Sequence, residues 1–389
     1  MAEPSRIYLD SNATTPLAEA VLEAMLPWLK DGFGNASSIH AEGRAARAAL
    51  DRAREQVARL IGAAPEEIYF TGGGTESDNL AVRGVAERYP GRSRCRLVTS
   101  SIEHHAVLRP MQYYARLGCK LALLPVDKHG LLSVDDLKTR LDHEGAELVS
   151  LIAVSNEVGT VQPVEELGAF CRERGVTFHV DAVQAAGRLQ LDVRRMNVDL
   201  LSLSAHKIYG PKGVGALYVR RGVEIEPQMM GGGQERRRRS GTENVAGIAG
   251  FGEACRLALE EFESRNRTQL ELRDRLHRKI NERIEGVHLN GHPEMRVSNT
   301  LNLSFEGVEG EAVLLGLDAR GIAASSGSAC ASGSLEPSHV LTAMGVRPDL
   351  AQNSVRFSLG RGNTEEEIDR VAVELAGIVE RLRSMQLSS

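Results

Sequence analysis

Between residues 67 and 219 the chain repeats one pattern: a short apolar run, a polar or glycine-rich bend, then a stretch with helical spacing. The runs are Glu67–Thr71, Arg96–Ser100, Lys120–Leu124, Leu148–Val154, Val176–Val180, Leu200–Ser204 and Val214–Val219. Strands this apolar, alternating with helices, predict an α/β fold with a mostly parallel sheet covered on both faces. Gly43–Leu60 shows the helical half of the pattern, with Ala46, Ala49, Leu50, Ala53, Val57 and Leu60 on one face. Beyond about residue 244 the texture changes to a long charged helical stretch, Glu260–Ile284, and then mixed strands and helices. The expectation is a large α/β domain over residues 15–258. A smaller α+β domain is expected from residues 1–14 and 259–389.

Composition narrows the class. The 389 residues are 42% hydrophobic and 25% charged, enough for a sizeable core, and carry a net charge of −5. No global basic field is present to recruit nucleic acid or an anionic membrane. The one basic run, Arg236–Arg239, reads as a solvated edge facing an anion. The opening residues MAEPSRIYLD hold no apolar run, and no stretch approaches the roughly 18 apolar residues of a membrane span. The five cysteines, 95, 119, 171, 255 and 330, form no CxxC pair, and an odd number argues against a disulfide framework. A reducing, cytoplasmic setting is expected.

In open α/β sheets, ligands sit at the carboxyl ends of the strands. The notable polar residues fall at those positions. Lys207, in Ser204-Ala205-His206-Lys207, ends a buried run, where a desolvated amine could form a Schiff base. Taken alone, an ordinary exposed loop lysine is the better reading. Asp181 closes the run Phe178-His179-Val180 and could keep a pyridine nitrogen protonated, or simply cap a helix. Gln184, a turn later, could donate to a ring phenolic oxygen. Thr71-Gly72-Gly73-Gly74-Thr75-Glu76-Ser77 offers backbone N–H groups and the Thr75 hydroxyl to an anion, or a plain turn. Gly231–Gly233 leads to a second donor-rich segment, Arg239-Ser240-Gly241-Thr242. His104 could stack on a flat cofactor. Its neighbour His105 must point elsewhere, which disfavours a two-histidine metal site. Cys330 lies in Ser325–Ser334, small residues without strand or helix periodicity, and reads as an exposed thiol on a loop over about 322–336. The other four cysteines read as small core hydrophobes.

Taken together these segments resemble the cysteine desulfurases of the NifS/IscS class. The likeness runs from Tyr8–Pro16 through Asn156-Glu157-Val158-Gly159, His179–Gln184, Ser204–Gly213, Arg239–Thr242, Ser325–Cys330 and Arg356–Arg361 to Thr364–Asp369. It implies a pyridoxal-phosphate (PLP) enzyme of the aminotransferase type (fold type I), acting as a homodimer on L-cysteine. By position, Lys207 would carry the cofactor, Asp181 and Gln184 hold its ring, and His104 stack on it. Gly74, Thr75, Ser204 and His206 would hold the phosphate, with Thr242 reaching in from the second subunit. Asn156 would lie near the ring oxygen and Arg356 would clamp the substrate carboxylate. Cys330 would take the sulfur as a persulfide and pass it to an iron–sulfur scaffold or another acceptor protein. No resident metal is implied, although Cys330 could ligate a transient iron–sulfur cluster within a scaffold complex. Relatives that dock a scaffold through a C-terminal tail continue past the equivalent of Ser389, so docking by that route is not expected here. Selenocysteine lyase and cysteine-sulfinate desulfinase activities remain rivals, as does a PLP-binding platform that only organises an assembly complex.

Overall fold

The computed structural model describes residues 6–89, 91, 93–326 and 337–386. Its strands are β1 (Ile7–Tyr8), β2 (Ile68–Thr71), β3 (Arg96–Ser100), β4 (Lys120–Leu124), β5 (Leu148–Ile152), β6 (Thr177–Asp181), β7 (Leu200–Ser204), β8 (Gly215–Val219), β9 (Val287–Asn290), β10 (Thr300–Phe305), β11 (Ile322–Ala323) and β12 (Ser354–Ser358). The helices are α1 (Glu19–Lys30), α2 (Ala41–Leu60), α3 (Gly74–Ala86), α4 (His105–Arg116), α5 (Val134–Glu144), α6 (Val164–Glu173), α7 (Val245–Glu260), α8 (Phe262–Asn281), α9 (Gly310–Asp318), α10 (His339–Ala343), α11 (Pro348–Gln352) and α12 (Glu365–Gln386).

Seven strands form the main sheet in the order β2-β8-β7-β6-β5-β3-β4. Only β8 runs against its neighbours, so the sheet is mostly parallel. The reason is visible in the strands themselves. Every residue of β5 and β7 is buried, which demands cover on both faces. Helices α3 and α4 pack together over one side, where Leu80, Val82, Val107 and Met111 join Leu97 and Leu217 in one cluster. A larger cluster joins Leu50, Val57, Val149, Leu151, Phe178, Val180, Leu201 and Phe251. Each such side chain contributes about 2 kcal/mol by leaving water.

A second core gathers Leu272, Leu276, Leu301, Phe305, Phe357 and Leu375 around the antiparallel sheet β12-β10-β9. Ile7 and Leu9 belong to it, and β1 pairs in parallel with β11. The expected helical stretch Glu260–Ile284 is α8, Phe262–Asn281. Glu261 breaks it from α7 (φ −95°, ψ 3°), and its carboxylate pairs with Arg361 and Arg265. The break lets α7 stay against α1 and α2 while α8 turns to α12. Helix α3 starts four residues before the expected Asp78, because Gly73, with φ +147°, serves as its N-cap. Among the described residues no helix is long and apolar enough to cross a membrane.

Candidate active site

Parallel β6 and β7 are adjacent, with Asp181 opposite Ser202. Their ends therefore bring Asp181 and the turn Ala205–Lys207 to one edge of the sheet. Asp181 is 3% exposed, and its Oδ1 accepts the Val183 N–H at 2.9 Å. Burial pushes its carboxyl up to about 6, against the pull of that N–H and of the Lys207 charge. Lys207 Nζ donates to the main-chain oxygens of Asn12 at 2.5 Å and Ala13 at 2.8 Å. Gln184 Nε2 donates to the same Asn12 oxygen at 2.9 Å. Arg188 Nη1 fixes the other end of that amide through Gln184 Oε1 at 3.0 Å.

The start of α3 forms a cradle beside them. A cavity of about 380 Å³ is lined by Thr14, Gly72, Gly73, Thr75, Ser204, His206 and Lys212, among others. Three expected phosphate contacts, Thr75, Ser204 and His206, thus share one wall. Ser204 Oγ is buried with no partner among the described residues, a donor awaiting an oxygen. A Cβ added to Gly74 would stand 2.7 Å from Val183 Cγ2 and 3.4 Å from Ser204 Cβ, so the helix start can sit this close only as glycine. His206 Nδ1 lies 3.1 Å from Thr14 Oγ1, and burial, then Lys207 and Lys212, push its pKa down to about 4. Glu76 lines the cavity too, but it is paired with Arg239 at 2.8 Å and accepts the Gly72 N–H at 2.7 Å. Helix-start donors, an unpartnered hydroxyl and a nearby lysine fit a phosphate.

His104 caps α4, its Nδ1 accepting the Ala106 N–H at 3.1 Å. Burial, then the charges of Lys207 and His339, push it down to about 4, so the ring is neutral at physiological pH. With Thr75 it lines a second cavity, of about 590 Å³, that meets the first at Thr75. His105 instead faces His339, with ring centroids 4.8 Å apart.

Arg356 is 1% exposed. Its Nη2 pairs with Asp10 at 2.7 Å and its Nη1 donates to the Asn156 oxygen at 3.0 Å. Only Nε has no partner among the described residues, so the expected carboxylate clamp is already half engaged with Asp10. Losing Asp10 would strand a buried guanidinium at a penalty of about 3 kcal/mol. Thr242 is exposed and lines neither cavity of its own chain. Cys330 lies outside the described residues. Cys95, Cys119, Cys171 and Cys255 are all buried, and burial pushes the Cys171 thiol up to about 12.

The basic run is solvated in its first half, where Arg236 and Arg237 are exposed, and half-buried at Arg238 and Arg239. Arg236 and Arg238 also lie over the Tyr69 ring at 5.1 and 4.7 Å, and Arg239 holds Glu76. Sequence reasoning missed Asn12 as a hub. Its side chain donates to the Asn156 oxygen and Thr300 Oγ1 and accepts from Asn299, joining segments up to 288 positions apart. Its membership of Tyr8–Pro16 was the only signal available.

Against this geometry the comparisons are consistent. The family "Aminotransferase class-V" matches residues 7–371. A protein of Methanosarcina thermophila, named cysteine desulfurase IscS, is 50% identical over 98% of this chain and 94% of its own. A solved NifS-like protein superposes with a TM-score of 0.90 at 39% identity, covering 97% of this chain and all of that one. A structure of SspA in complex with cysteine gives a TM-score of 0.81 at 39% identity over 91% of this chain and 98% of the other. The adjoining ends of β6 and β7, the glycine cradle at α3 and matches of this extent lead to one assignment: the chain belongs to the class-V aminotransferase family, within its cysteine desulfurases.

Proposed function

We propose that this chain binds PLP between Lys207, Asp181 and the α3 cradle, takes sulfur from free L-cysteine and holds it on Cys330. The observation that carries the reading is a lysine amine within electrostatic reach of a buried carboxylate at the ends of adjacent parallel strands, beside a Ser204 hydroxyl with no partner among the described residues. When bound, PLP supplies an electron sink for bond cleavage at the amino acid's carbons. Lys207 would attach the cofactor and serve as the base for the substrate's Cα proton. Asp181 would hold a positive ring nitrogen, and Gln184 would serve the ring oxygen, its amide set by Arg188. Neutral His104 offers a flat face without a competing charge. Arg356 orients the substrate carboxylate beside Asn156.

The sulfur step balances simply. The Cys330 thiolate forms an S–S bond to the substrate sulfur, and the substrate C–S bond breaks with its electron pair left on carbon. A proton completes alanine, so cysteine plus protein thiol gives alanine plus protein persulfide. A homodimer in which Thr242 completes the second subunit's phosphate site accounts for that residue's distance from its own cavities. The persulfide then passes to an acceptor protein, an iron–sulfur scaffold or another thiol carrier, in the cytoplasm.

The test compares Cys→Ser changes at all five positions, scoring alanine and protein-bound persulfide. Cys330→Ser should keep PLP and bind cysteine, yet lower alanine release by orders of magnitude, because a hydroxyl is scarcely ionised at neutral pH. The four buried positions should stay near the parent. Normal turnover by Cys330→Ser, or labelled sulfur on another cysteine, would refute the persulfide route.

A further inference from the structure

Behind Asp181 lies a second set of polar side chains that this mechanism leaves without a task. Residues two apart on a strand share a face, so His179 stands beside Asp181 on β6. His179 is fully buried, with Nδ1 2.7 Å from Ser150 Oγ on β5 and Nε2 2.9 Å from Ser202 Oγ on β7. Helix α3 places Asp78 at the same spot. Its Oδ1 is 3.7 Å from His179 Nε2, and the Ser202 hydroxyl reaches its carboxyl. Asp78 is 1% exposed, and Oδ1 has no hydrogen-bond partner among the described residues. The charged groups acting on it are carboxyls: Asp181 on β6 and Glu103 just before α4. Glu103 is fully buried as well, with Oε1 accepting from Ser100 Oγ and the Ile152 N–H and Oε2 unpartnered among the described residues.

Three carboxyl groups in one dry volume do not all ionise, since each anion raises the pKa of its neighbours and burial raises all three. Asp181 has a cation, Lys207, as well as the Val183 N–H to favour its charge. Asp78 is favoured by the Ser202 hydroxyl and Glu103 by Ser100 and the Ile152 N–H, all uncharged donors. Asp181 also stands at the strand end beside Lys207, whereas Asp78 lies against His179 and Ser202. A neutral His179 ring has one nitrogen that donates and one that accepts, so the chain closes in either direction. If Asp78 keeps its proton, it donates to Ser202 Oγ, Ser202 donates to His179 Nε2, and His179 Nδ1–H donates to Ser150 Oγ. With Asp78 ionised the donors reverse, and the cost falls on Oδ1: a charged oxygen would be buried with no donor among the described residues. The neutral acid avoids that penalty.

We propose that Asp78 is a positioning residue for Asp181: as a neutral carboxylic acid it closes the Ser202–His179–Ser150 chain and so reserves the site's negative charge for Asp181. Burial supports this by pushing Asp78 well above the usual carboxylate range and His179 down to about 3. The proposal rests on the reading of Asp181 as the partner of the PLP ring nitrogen.

An asparagine at position 78 can still donate to Ser202 through its amide, whereas alanine cannot. Equilibrium binding of PLP to apoprotein is therefore measured across pH for the parent, Asp78→Asn and Asp78→Ala. Asp78→Asn should bind within about threefold of the parent with the same pH midpoint, and Asp78→Ala should bind about tenfold more weakly or worse. Should Asp78→Ala fail to fold, Ser202→Ala interrupts the same chain and takes its place. A midpoint moved by about one unit in Asp78→Asn would show that the parent carries a charge there, and overturn the proposal. So would an alanine variant that binds like the parent. Infrared spectra of the apoproteins at neutral pH supply an arm that needs no cofactor. The parent should show a protonated-carboxyl band that Asp78→Asn diminishes, and an unchanged band overturns the proposal. A chain that shows the band yet binds no PLP refutes the reading of Asp181, and the positioning role falls with it.

Discussion

One main-chain oxygen, that of Asn12, accepts from Lys207 Nζ at 2.5 Å and from Gln184 Nε2 at 2.9 Å. The amine expected to attach PLP and the amide expected to face its ring are therefore aligned by one atom of the N-terminal segment. That atom is itself held, because the Asn12 side chain is bonded to Asn156, Thr300 and Asn299. The alignment needs only a cationic donor at position 207, whereas the chemistry needs a nucleophilic amine.

Lys207→Arg separates the two requirements. Arginine keeps the positive charge near Asn12 and Asp181 but is not deprotonated in proteins and attaches no aldehyde. The variant should fold with a melting temperature close to the parent's, lose the visible absorbance of attached PLP and release alanine orders of magnitude more slowly. Retained turnover would remove Lys207 from its assigned role.

Gly74→Ala tests the cradle. The added Cβ would meet Val183 Cγ2 at 2.7 Å, closer than real side chains approach. Valine is stiff at χ1, so relief requires movement of the Val183 backbone, whose N–H holds Asp181 Oδ1. A single methyl should thus disturb the phosphate end and the ring-nitrogen end together. PLP affinity is expected to fall by about tenfold or more, the equivalent of one lost hydrogen bond, with little change in the melting temperature of the apoprotein. Dialysis against buffer followed by a binding titration measures it.

Much of this arrangement was legible because the sheet is buried on both faces. Arg96–Ser100, Lys120–Leu124 and Leu200–Ser204 are strands to the residue. The buried positions of β3 and all of β7 had to be apolar or small, and the edge strand β4 keeps an apolar run after Lys120 although only Leu124 in it is buried. Polar residues just beyond such runs, Asp181 and Lys207 among them, could then be placed at the sheet's edge. Legibility failed where long-range contacts decide the local role. Glu67 looked like the first residue of β2. It instead ends a 3₁₀ turn, its carboxylate accepting the Ala64 and Arg221 N–H groups. Arg188 and Glu103 carry no sequence pattern that marks them, and each has a partner that only the fold brings near, Asn12 for Arg188 and Ile152 for Glu103. The contact of Arg236 and Arg238 with the Tyr69 ring is announced by no sequence spacing.

Buried Glu103 predicts a pH dependence of stability. Burial raises its pKa from 4.5 to about 8 in the folded chain. Its contribution is therefore fully present below the unfolded value and is lost as pH rises toward the folded one, because the unfolded chain releases its proton first. Glu103→Gln cannot titrate. Measured by denaturant unfolding, the variant should gain on the parent by about 1 kcal/mol per pH unit between about pH 5 and pH 7. A difference between the two proteins that stays flat across that window would show Glu103 ionised in the native state.

Thr242 gives the last prediction, because it is exposed and lines neither cavity of its own chain. If it serves the second subunit, Thr242→Ala weakens PLP binding at a site whose lysine belongs to the other copy. Lys207→Ala disables the site on its own chain while leaving its Thr242 intact. A hybrid dimer of the two variants then contains one site lacking both residues and one site with both. Each variant alone should be impaired, Lys207→Ala fully and Thr242→Ala through loss of PLP at low cofactor concentration. Mixing them under conditions that exchange subunits should restore activity, to about a quarter of the parent's for random exchange. That fraction follows because half the dimers are hybrids and each holds one sound site of two. Purifying the hybrid with two different affinity tags should raise the figure to about one half. Recovery absent from a verified hybrid would place Thr242 outside the site altogether, and the shared-site dimer would have to be given up.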